Sequence, residues 1–375
     1  MKRAFILGLA FLFLSSAVFA EHAKVMPRMV GRFFAVPIFS FAPGEYNTDG
    51  AFERFDDGSI RLFNLGFALE FGVTDWFSAA VQWVPGWTPW SDLETATGIP
   101  NTNTNGVADI FLGAKIQIVG ERAPVRSNMF RVAIGPGVII PMPGPDFSEI
   151  DPTRLGQDAI TFAAMDRHVF GMGARFFFDY VVNRNFFINL YNETLFFPVR
   201  QDINRHGPMF NLTRGGVNQT MLAAAGDPLD PFHDLATALG PAGIAEIMNI
   251  SGEVRYLPRL TFEIEPRFSA FIANGVEIAM GLPLNYRFSP RSQYSFDFPD
   301  TLAPALSVLE PAFLGIRNTY HQHLLSIAPN VSMFFRRFPV PLEFKLQQSI
   351  PLWGRNNMAQ HNLALQIRAY FAFGR

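Results

Sequence analysis

The stretch from Asn362 to Phe373 reads NLALQIRAYFAF and decides the fold class. Its odd-numbered positions, from Leu363 onward, carry only apolar side chains, whereas its even-numbered positions include Gln366 and Arg368. Successive side chains of a β-strand point to opposite faces, so this alternation predicts a strand with one apolar and one polar face. The stretch is long enough to cross a bilayer as a tilted strand, which takes roughly 9–11 residues.

The same alternation recurs along the chain, which contains 41 Phe among 375 residues and only 17% charged residues. Ile60–Val73 is a clear example, because Phe63, Phe67 and Phe71 alternate with small or polar residues such as Glu70. No segment after the N-terminal 20 residues contains about 18 consecutive apolar residues, so transmembrane helices are not expected. An apolar band that faces lipid and a polar lumen together explain this composition.

The N-terminus predicts export. Lys2 and Arg3 precede an apolar run, residues 4–14, and small residues up to Ala20 provide a cleavage site. We therefore predict a signal peptide over residues 1–20 and a single barrel domain over residues 21–375. The terminal Phe373 resembles the C-terminal signal of bacterial outer-membrane barrels. That resemblance implies recognition of Asn362–Phe373 by the barrel-assembly machinery, contact with outer-membrane lipid and residence in the outer membrane.

Strand counting predicts an even-numbered barrel. Alternation gives thirteen strands, among them Ile250–Leu257, while bacterial single-chain barrels have an even number with both termini on the periplasmic side. The missing strand is assigned to Gln293–Phe298. The predicted fold is an all-β, transmembrane, antiparallel up-and-down β-barrel of about 14 strands. Its longest connection, Pro198–Asn249, lies on the external side.

Within that external loop the hydrophobic period changes from two residues to a helical spacing, which predicts one or two short amphipathic helices. The apolar positions are Phe232, Leu235, Leu239, Ile244 and Ile247. Apolar surface on an external loop can form a groove for a hydrophobic ligand. The same stripe also fits a self-packed lid or a helix at the membrane interface, and the sequence leaves these alternatives open.

Charged residues fall on the inward faces of the predicted strands. Glu263, Glu265 and Arg267 form one inward file, and Arg255 precedes them. A guanidinium can hold a carboxylate through two parallel hydrogen bonds, so Arg255 and Arg267 are the candidate anchors for an acidic ligand. The alternative is that these groups form structural ion pairs in a polar lumen.

Several function classes are disfavoured. The net charge of −2 argues against a nucleic-acid partner, and the absence of Cys excludes thiolate metal sites. His321 and His323 share a strand face, but no carboxylate ligand accompanies them in sequence. No G-x-S-x-G nucleophile motif or complete nucleotide-binding glycine motif occurs. We expect no enzyme activity, no metal and no cofactor.

Two segments carry a family resemblance. Glu70–Trp76, reading EFGVTDW, and Gly106–Lys115, reading GVADIFLGAK, resemble strand motifs of FadL-like outer-membrane transporters, and Gly135–Pro141 resembles the strand that follows them. This family contains fatty-acid and aromatic-hydrocarbon uptake channels, and the resemblance implies fourteen strands. The chain departs from the family at the N-terminus, where only Glu21–Pro27 precedes the first predicted strand instead of a long hatch with an Asn-Pro-Ala motif.

The sequence therefore favours a passive outer-membrane channel for hydrophobic small molecules, with long-chain fatty acids as the expected ligands. Apolar loop helices would capture the ligand, and the barrel would pass it inward. Two alternatives are a general diffusion porin and a barrel whose external loops act in surface display or adhesion.

Overall fold

The computed structural model describes residues 22–55, 59–87, 90–92, 105–142, 169–203, 215–230, 232–247, 250–310 and 320–373. The predicted signal peptide, residues 1–20, lies outside the described residues, so its prediction stays untested.

Twelve antiparallel strand positions close into an up-and-down barrel. The ring closes where Val30 in the first strand lies opposite Ala372 in the last. Along the chain the strands are β1 Val30–Ala42, β2 Ile60–Gly72, β3 Phe77–Trp87, β4 Asn105–Gly120, β5 Phe130–Ile140, β6 Gly171–Val181, β7 Phe186–Phe196, β8 Arg259–Ala273, β9 Val276–Gly281 with Leu284–Ser289, β10 Gln322–Ile327 with Asn330–Phe335, β11 Leu342–Arg355 and β12 His361–Ala372.

The predicted count of fourteen strands is wrong by two, whereas the all-β antiparallel barrel is confirmed. Ser251–Arg255 and Gln293–Asp297 are strands, but they pair with each other and with Gln201–Asp202 in a separate three-stranded sheet. Each has only 5 residues. That length is about half of what a membrane-spanning strand requires.

Two predicted strands are each broken once by a proline. Pro283 divides β9, and Pro329 divides β10. Proline has no N–H to donate to the ladder, so the break is expected at these positions. Their carbonyl oxygens still accept hydrogen bonds from the neighbouring strands, Pro283 from Ala328 N at 2.8 Å and Pro329 from Gln348 N at 3.0 Å.

The two barrel faces differ as the alternation predicted. In β12, Leu363 is 45% exposed, whereas Gln366 and Arg368 are 0% and 2% exposed because they point into the lumen. Large outward apolar side chains are exposed on every neighbouring strand around the ring. They include Phe33, Leu69, Trp83, Leu112, Ile134, Phe176, Phe196, Phe262, Tyr286, Val331, Leu346 and Leu365. A continuous band of this kind suits lipid and not water.

The two ends of the barrel are unequal. Tight turns such as residues 73–76 and 182–185 share one end with the start of β1 and the end of β12, and we call it the short-turn end. The opposite, long-loop end carries the helices α1 Gly215–Gly226 and α2 His233–Glu246, together with a 3₁₀ helix. The predicted loop helices are therefore confirmed. None of the helices in the described residues is long and apolar enough to cross a membrane.

Candidate functional site in the barrel lumen

The inner face of the barrel is charged, and three arginines of this face form cross-strand pairs with carboxylates. The register places Arg32 opposite Glu70, Arg175 opposite Glu193 and Arg368 opposite Glu343. The nitrogen–oxygen distances are 2.6, 2.6 and 3.1 Å, respectively. Facing positions of opposite charge stabilise neighbouring strands, and a buried charge requires such a partner. The polar lumen expected from sequence is confirmed as a set of paired charges.

An N-terminal segment, His22–Arg28, lies inside the barrel at its short-turn end. The Ala23 N–H donates to both carboxylate oxygens of Asp179, at 3.1 and 3.2 Å. The side chain of Ala23 packs in a buried cluster with Phe177 and Tyr191. Since the segment continues into β1 and ends against β6 on the other side of the ring, it crosses the lumen.

Further contacts fix this N-terminal segment to the barrel wall. The Lys115 ammonium donates to the carbonyl oxygens of His22 and Lys24, at 2.8 and 3.3 Å. Where the segment meets β1, it passes directly over Gly72, and a Cβ there would collide with the carbonyl oxygens of Met26 and Pro27. The absence of a side chain at Gly72 therefore provides the room through which the segment enters the lumen.

The surroundings of the N-terminal segment are rich in charge. Burial, followed by the nearby Arg131, lowers the pKa of the Lys24 ammonium. A hydrogen bond from Arg131 lowers the pKa of the Glu121 carboxyl group in the turn below. Arg131 also lies 3.5 Å from Asp179, the carboxylate that accepts the Ala23 N–H. Arg131 thus links the anchor of the segment to the short-turn end.

Replacing Gly72 with Val should displace the N-terminal segment from the wall, because the new side chain would occupy the position of two backbone carbonyl groups. We expect a single-channel conductance above that of the wild type but below that of a chain without the segment. Planar-bilayer recording measures it. Gly226→Ala is the control, since no atom lies within 4 Å of a Cβ at that position. Wild-type conductance for Gly72→Val would contradict the expected steric effect.

The predicted carboxylate anchors are separated in space. Arg255 lies outside the barrel, exposed in the three-stranded sheet, so its assignment to the lumen is wrong. Arg267 does face the lumen, where its guanidinium lies 3.8 Å from Glu265. Glu263 accepts a hydrogen bond from Asn285 at 3.0 Å, and Glu265 accepts one from Asn330 at 3.0 Å. These three lumen residues are embedded in polar contacts of the wall.

The five apolar positions of the external loop belong to one cluster, which we call the lid. Ile244 and Ile247 are buried, at 2% and 0% exposure, while Phe232, Leu235 and Leu239 pack against them and stay partly exposed. Residues from α1 and from the 3₁₀ helix complete the lid, including Met221, Leu302 and Ala305. The exposed part of the predicted groove is therefore its Phe232, Leu235 and Leu239 edge.

In the described part of the barrel, the lumen wall contains cavities, and two of them differ in their lining. One, of about 30 Å³, is lined mainly by amide and hydroxyl side chains such as Asn285, Ser326 and Gln347. The other, of about 60 Å³, lies against β1–β6 and is lined by the aromatic rings of Phe34, Phe111 and Phe177 together with Lys115 and Arg175. We call it the aromatic cavity. Sequence reasoning did not group Lys115 and Arg175 into a site.

Sequence reasoning also missed the N-terminal segment, because it treated Glu21–Pro27 only as the residues that precede the first predicted strand. A short signal was present, because the polar His22 and Lys24 alternate with the apolar Ala23 and Val25. The structure shows that Ala23 and Val25 are buried. The two neighbouring histidines likewise have contacts that sequence alone did not indicate. His323 Nδ1 lies 2.8 Å from the Tyr286 hydroxyl group, and His321 accepts a hydrogen bond from the Arg291 N–H.

Comparison with known proteins supports the fold. No protein-family model matches the chain, and no curated protein matches it. The COG4313 outer membrane channel from Pseudomonas putida F1 has a TM-score of 0.54 at 10% identity, over 94% of this chain and 99% of that one. A FadL homologue from Pseudomonas aeruginosa has a TM-score of 0.33 at 10% identity, over 100% and 94% of the two chains. Of these two TM-scores, the first is high enough to indicate a shared fold. It shows that this chain has the fold of an outer-membrane channel barrel.

Proposed function

We propose that the chain is a passive outer-membrane channel for hydrophobic small molecules that carry an acidic group, with long-chain fatty acids as the first candidates. The observation that carries the proposal is a closed barrel with an apolar outer band and a charged lumen crossed by its own N-terminal segment. Such an interior suits a narrow, selective channel. No enzymatic step and no cofactor belong to this proposal.

In this scheme the signal peptide, residues 1–20, directs export, and Asn362–Phe373 engages the barrel-assembly machinery. The long-loop end faces the outside and the short-turn end faces the periplasm, as is usual for outer-membrane barrels. The FadL-like motifs around Glu70–Trp76 and Gly106–Lys115 support uptake of a hydrophobic solute. The barrel has twelve strands where that family implies fourteen, so the support comes from the motifs and not from the strand number.

The lid is proposed as the place of first capture. Its edge residues Phe232, Leu235 and Leu239 are only partly buried, so an acyl chain can gain apolar contact there without unfolding the lid. Burying apolar surface contributes about 25 cal/mol per Å². Ile244 and Ile247 would act from beneath by holding the edge in place, since both are buried.

A Phe232→Ser/Leu235→Ser double substitution should weaken binding of a fluorescent long-chain fatty acid by at least about tenfold. Two apolar contacts are lost, and full burial of each side chain contributes about 1.5–3 kcal/mol. The purified protein in detergent is titrated, and the dissociation constant is read from fluorescence. Leu222→Ser/Leu229→Ser is the matched control, since both side chains are exposed, at 57% and 91%. Absence of saturable binding by the wild type would contradict the proposal.

A second candidate, diffusion of small polar solutes, is favoured by one observation. The 30 Å³ cavity is lined by hydrogen-bonding groups such as Asn285, Ser326, Gln347, Ser349 and Asn362. Liposome swelling separates the two candidates: entry of a neutral pentose at a rate that fatty acid does not inhibit would support the polar channel.

A further inference from the structure

Two acidic side chains lie side by side on the lumen face of β8. Glu263 and Glu265 are two positions apart on this strand, so both point inward, and both are buried. Asn285 Nδ2 donates to Glu263 Oε2, and Asn330 Nδ2 donates to Glu265 Oε1, each at 3.0 Å. Among the described residues, no group donates a hydrogen bond to Glu263 Oε1 or Glu265 Oε2. Each carboxylate therefore keeps one oxygen for a further ligand.

Two amide oxygens of the same wall are buried without a hydrogen-bond donor among the described residues. They are Asn189 Oδ1 and Asn330 Oδ1, in residues that are 0% and 7% exposed. The orientation of each amide follows from the bond that its nitrogen makes, Asn189 Nδ2 to Asp179 at 2.8 Å and Asn330 Nδ2 to Glu265 at 3.0 Å. A buried polar atom without a partner is costly, so two such oxygens in one wall indicate a ligand that the protein does not itself supply.

These amide oxygens are grouped around Glu265. Asn189 lies directly opposite Glu265 in the register of β7 and β8. Asn330 reaches Glu265 across Gly281, where a Cβ would collide with the Glu265 carboxylate. The missing side chain at Gly281 therefore gives Glu265 and Asn330 the room to meet. Carboxylate and amide oxygens from three strands, β7, β8 and β10, thus share one region of the lumen.

The chemistry of this oxygen set fits a hard metal cation. Ca²⁺ takes about 6–8 oxygen ligands from carboxylates, amide carbonyl groups and water. The described residues contain no group of three or more His, Cys, Asp or Glu side chains that could hold a metal, so a site here depends on the amide oxygens as well as on the two carboxylates. Glu263 also lines the neighbouring cavity of about 30 Å³, and a water molecule needs only about 10–15 Å³. Water in that cavity would complete the coordination.

Two cations of the wall compete for the carboxylates. The Arg267 guanidinium lies 3.8 Å from Glu265, beyond hydrogen-bond distance, and Lys345 lies within electrostatic range of Glu263. Neither of these cations donates a hydrogen bond to the two orphaned amide oxygens. They therefore reduce the negative charge that a metal ion meets without replacing it at its amide ligands. We expect a modest affinity, in the roughly 0.1–1 mM range of extracellular Ca²⁺ modules.

We propose that Glu263, Glu265, Asn189 and Asn330 bind a hard metal cation in the barrel wall, with Ca²⁺ as the first candidate. The ion would join β7, β8 and β10 next to the positions where prolines interrupt β9 and β10. Metal–oxygen bonds would there hold together strands whose ladder lacks the proline N–H groups. This inference goes beyond the proposed channel function and does not depend on the hydrophobic ligand.

Calorimetric titration of the full barrel in detergent, after treatment with EDTA and dialysis, tests the proposal with CaCl₂ and MgCl₂ as separate probes. We expect saturable Ca²⁺ binding and at least about tenfold weaker Mg²⁺ binding, because Mg²⁺ demands near-octahedral geometry and dehydrates reluctantly. Ca²⁺ should also raise the Tm of the barrel, since a ligand that binds only the folded state stabilises it. Tighter binding of Mg²⁺ would support the hard-cation site and correct its occupant, whereas no saturable binding of either ion would overturn the proposal.

Two variants act on the site in different ways. Glu263→Gln removes a charged ligand, whereas Gly281→Ala keeps every ligand and displaces the Glu265 carboxylate. Both should lower Ca²⁺ affinity at least about tenfold, and heat-modified migration on gels shows whether each barrel is folded. Wild-type Ca²⁺ affinity in a folded barrel of either variant would overturn the assignment.

Two further variants control for other carboxylates that could attract Ca²⁺. Glu277→Gln removes a carboxylate of β9 that is paired with Arg336 at 2.6 Å. Asp227→Asn removes an exposed carboxylate between α1 and α2. Both should keep the wild-type Ca²⁺ affinity. Loss of the calorimetric signal in either control would place the metal outside the β7–β10 wall and overturn the proposal.

Discussion

Deleting residues 22–27 should raise the single-channel conductance several-fold over the wild type. The N-terminal segment crosses the lumen at its short-turn end, and an obstruction in series sets the resistance of the whole pore. The segment is held at both ends, by Asp179 at Ala23 and by the close passage over Gly72. Removing it deletes no residue of a barrel strand, because every barrel strand begins after residue 29.

Planar-bilayer recording of the deleted chain gives the measurement, and heat-modified migration on gels confirms that the barrel is folded. Asp179→Ala is the matched variant, since it removes the carboxylate that holds Ala23 and keeps the whole segment in the chain. Its conductance should lie between those of the wild type and the deletion. The Asp179 carboxylate also accepts a hydrogen bond from Asn189. Asn189→Ala therefore tests whether the loss of a wall contact, with the bond to Ala23 retained, changes the conductance. Unchanged conductance after deletion would show that the narrowest point lies elsewhere.

The barrel itself could be predicted from sequence because its signal is local. Alternation along Ile60–Gly72 and His361–Ala372 depends only on which face meets lipid, and every neighbouring strand repeats it. The count failed at Ser251–Arg255 and Gln293–Asp297, which also alternate but are too short to span a membrane. Their length alone could have excluded them. The requirement for an even number of strands should not have outweighed it.

The lumen was predictable only in part, because its contacts join residues far apart in sequence. Ala23 meets Asp179 across 156 positions, and alternation could show only that Asp179 points inward. Alternation can likewise place Lys115 and Arg175 on an inward face, but their shared cavity depends on the register between the neighbouring strands. Arg255 was misassigned because its strand was counted in the wrong sheet.

Glu193→Ala should destabilise the barrel by about 3–5 kcal/mol, because it breaks a buried ion pair and leaves a buried cation behind. Glu193 is 1% exposed and accepts hydrogen bonds from Arg175 Nε at 2.6 Å and from the Tyr191 hydroxyl group at 2.9 Å. It also lies within electrostatic range of Arg259 and Arg287, which are buried too. The Glu193 carboxylate therefore interacts with more than one guanidinium group, and its loss removes the acceptor of the Arg175 Nε–H.

Urea unfolding of the detergent-solubilised protein, followed by tryptophan fluorescence, gives the free energy of unfolding. Glu193→Gln should cost less than Glu193→Ala, since an amide oxygen can still accept from Tyr191 although the charge is gone. The control is Glu253→Ala, whose pair with Arg200 is more than half exposed and should contribute at most about 1 kcal/mol. If Glu193→Ala lowers the free energy of unfolding no more than Glu253→Ala does, water in the lumen screens the charges. The paired charges would then serve permeation more than stability.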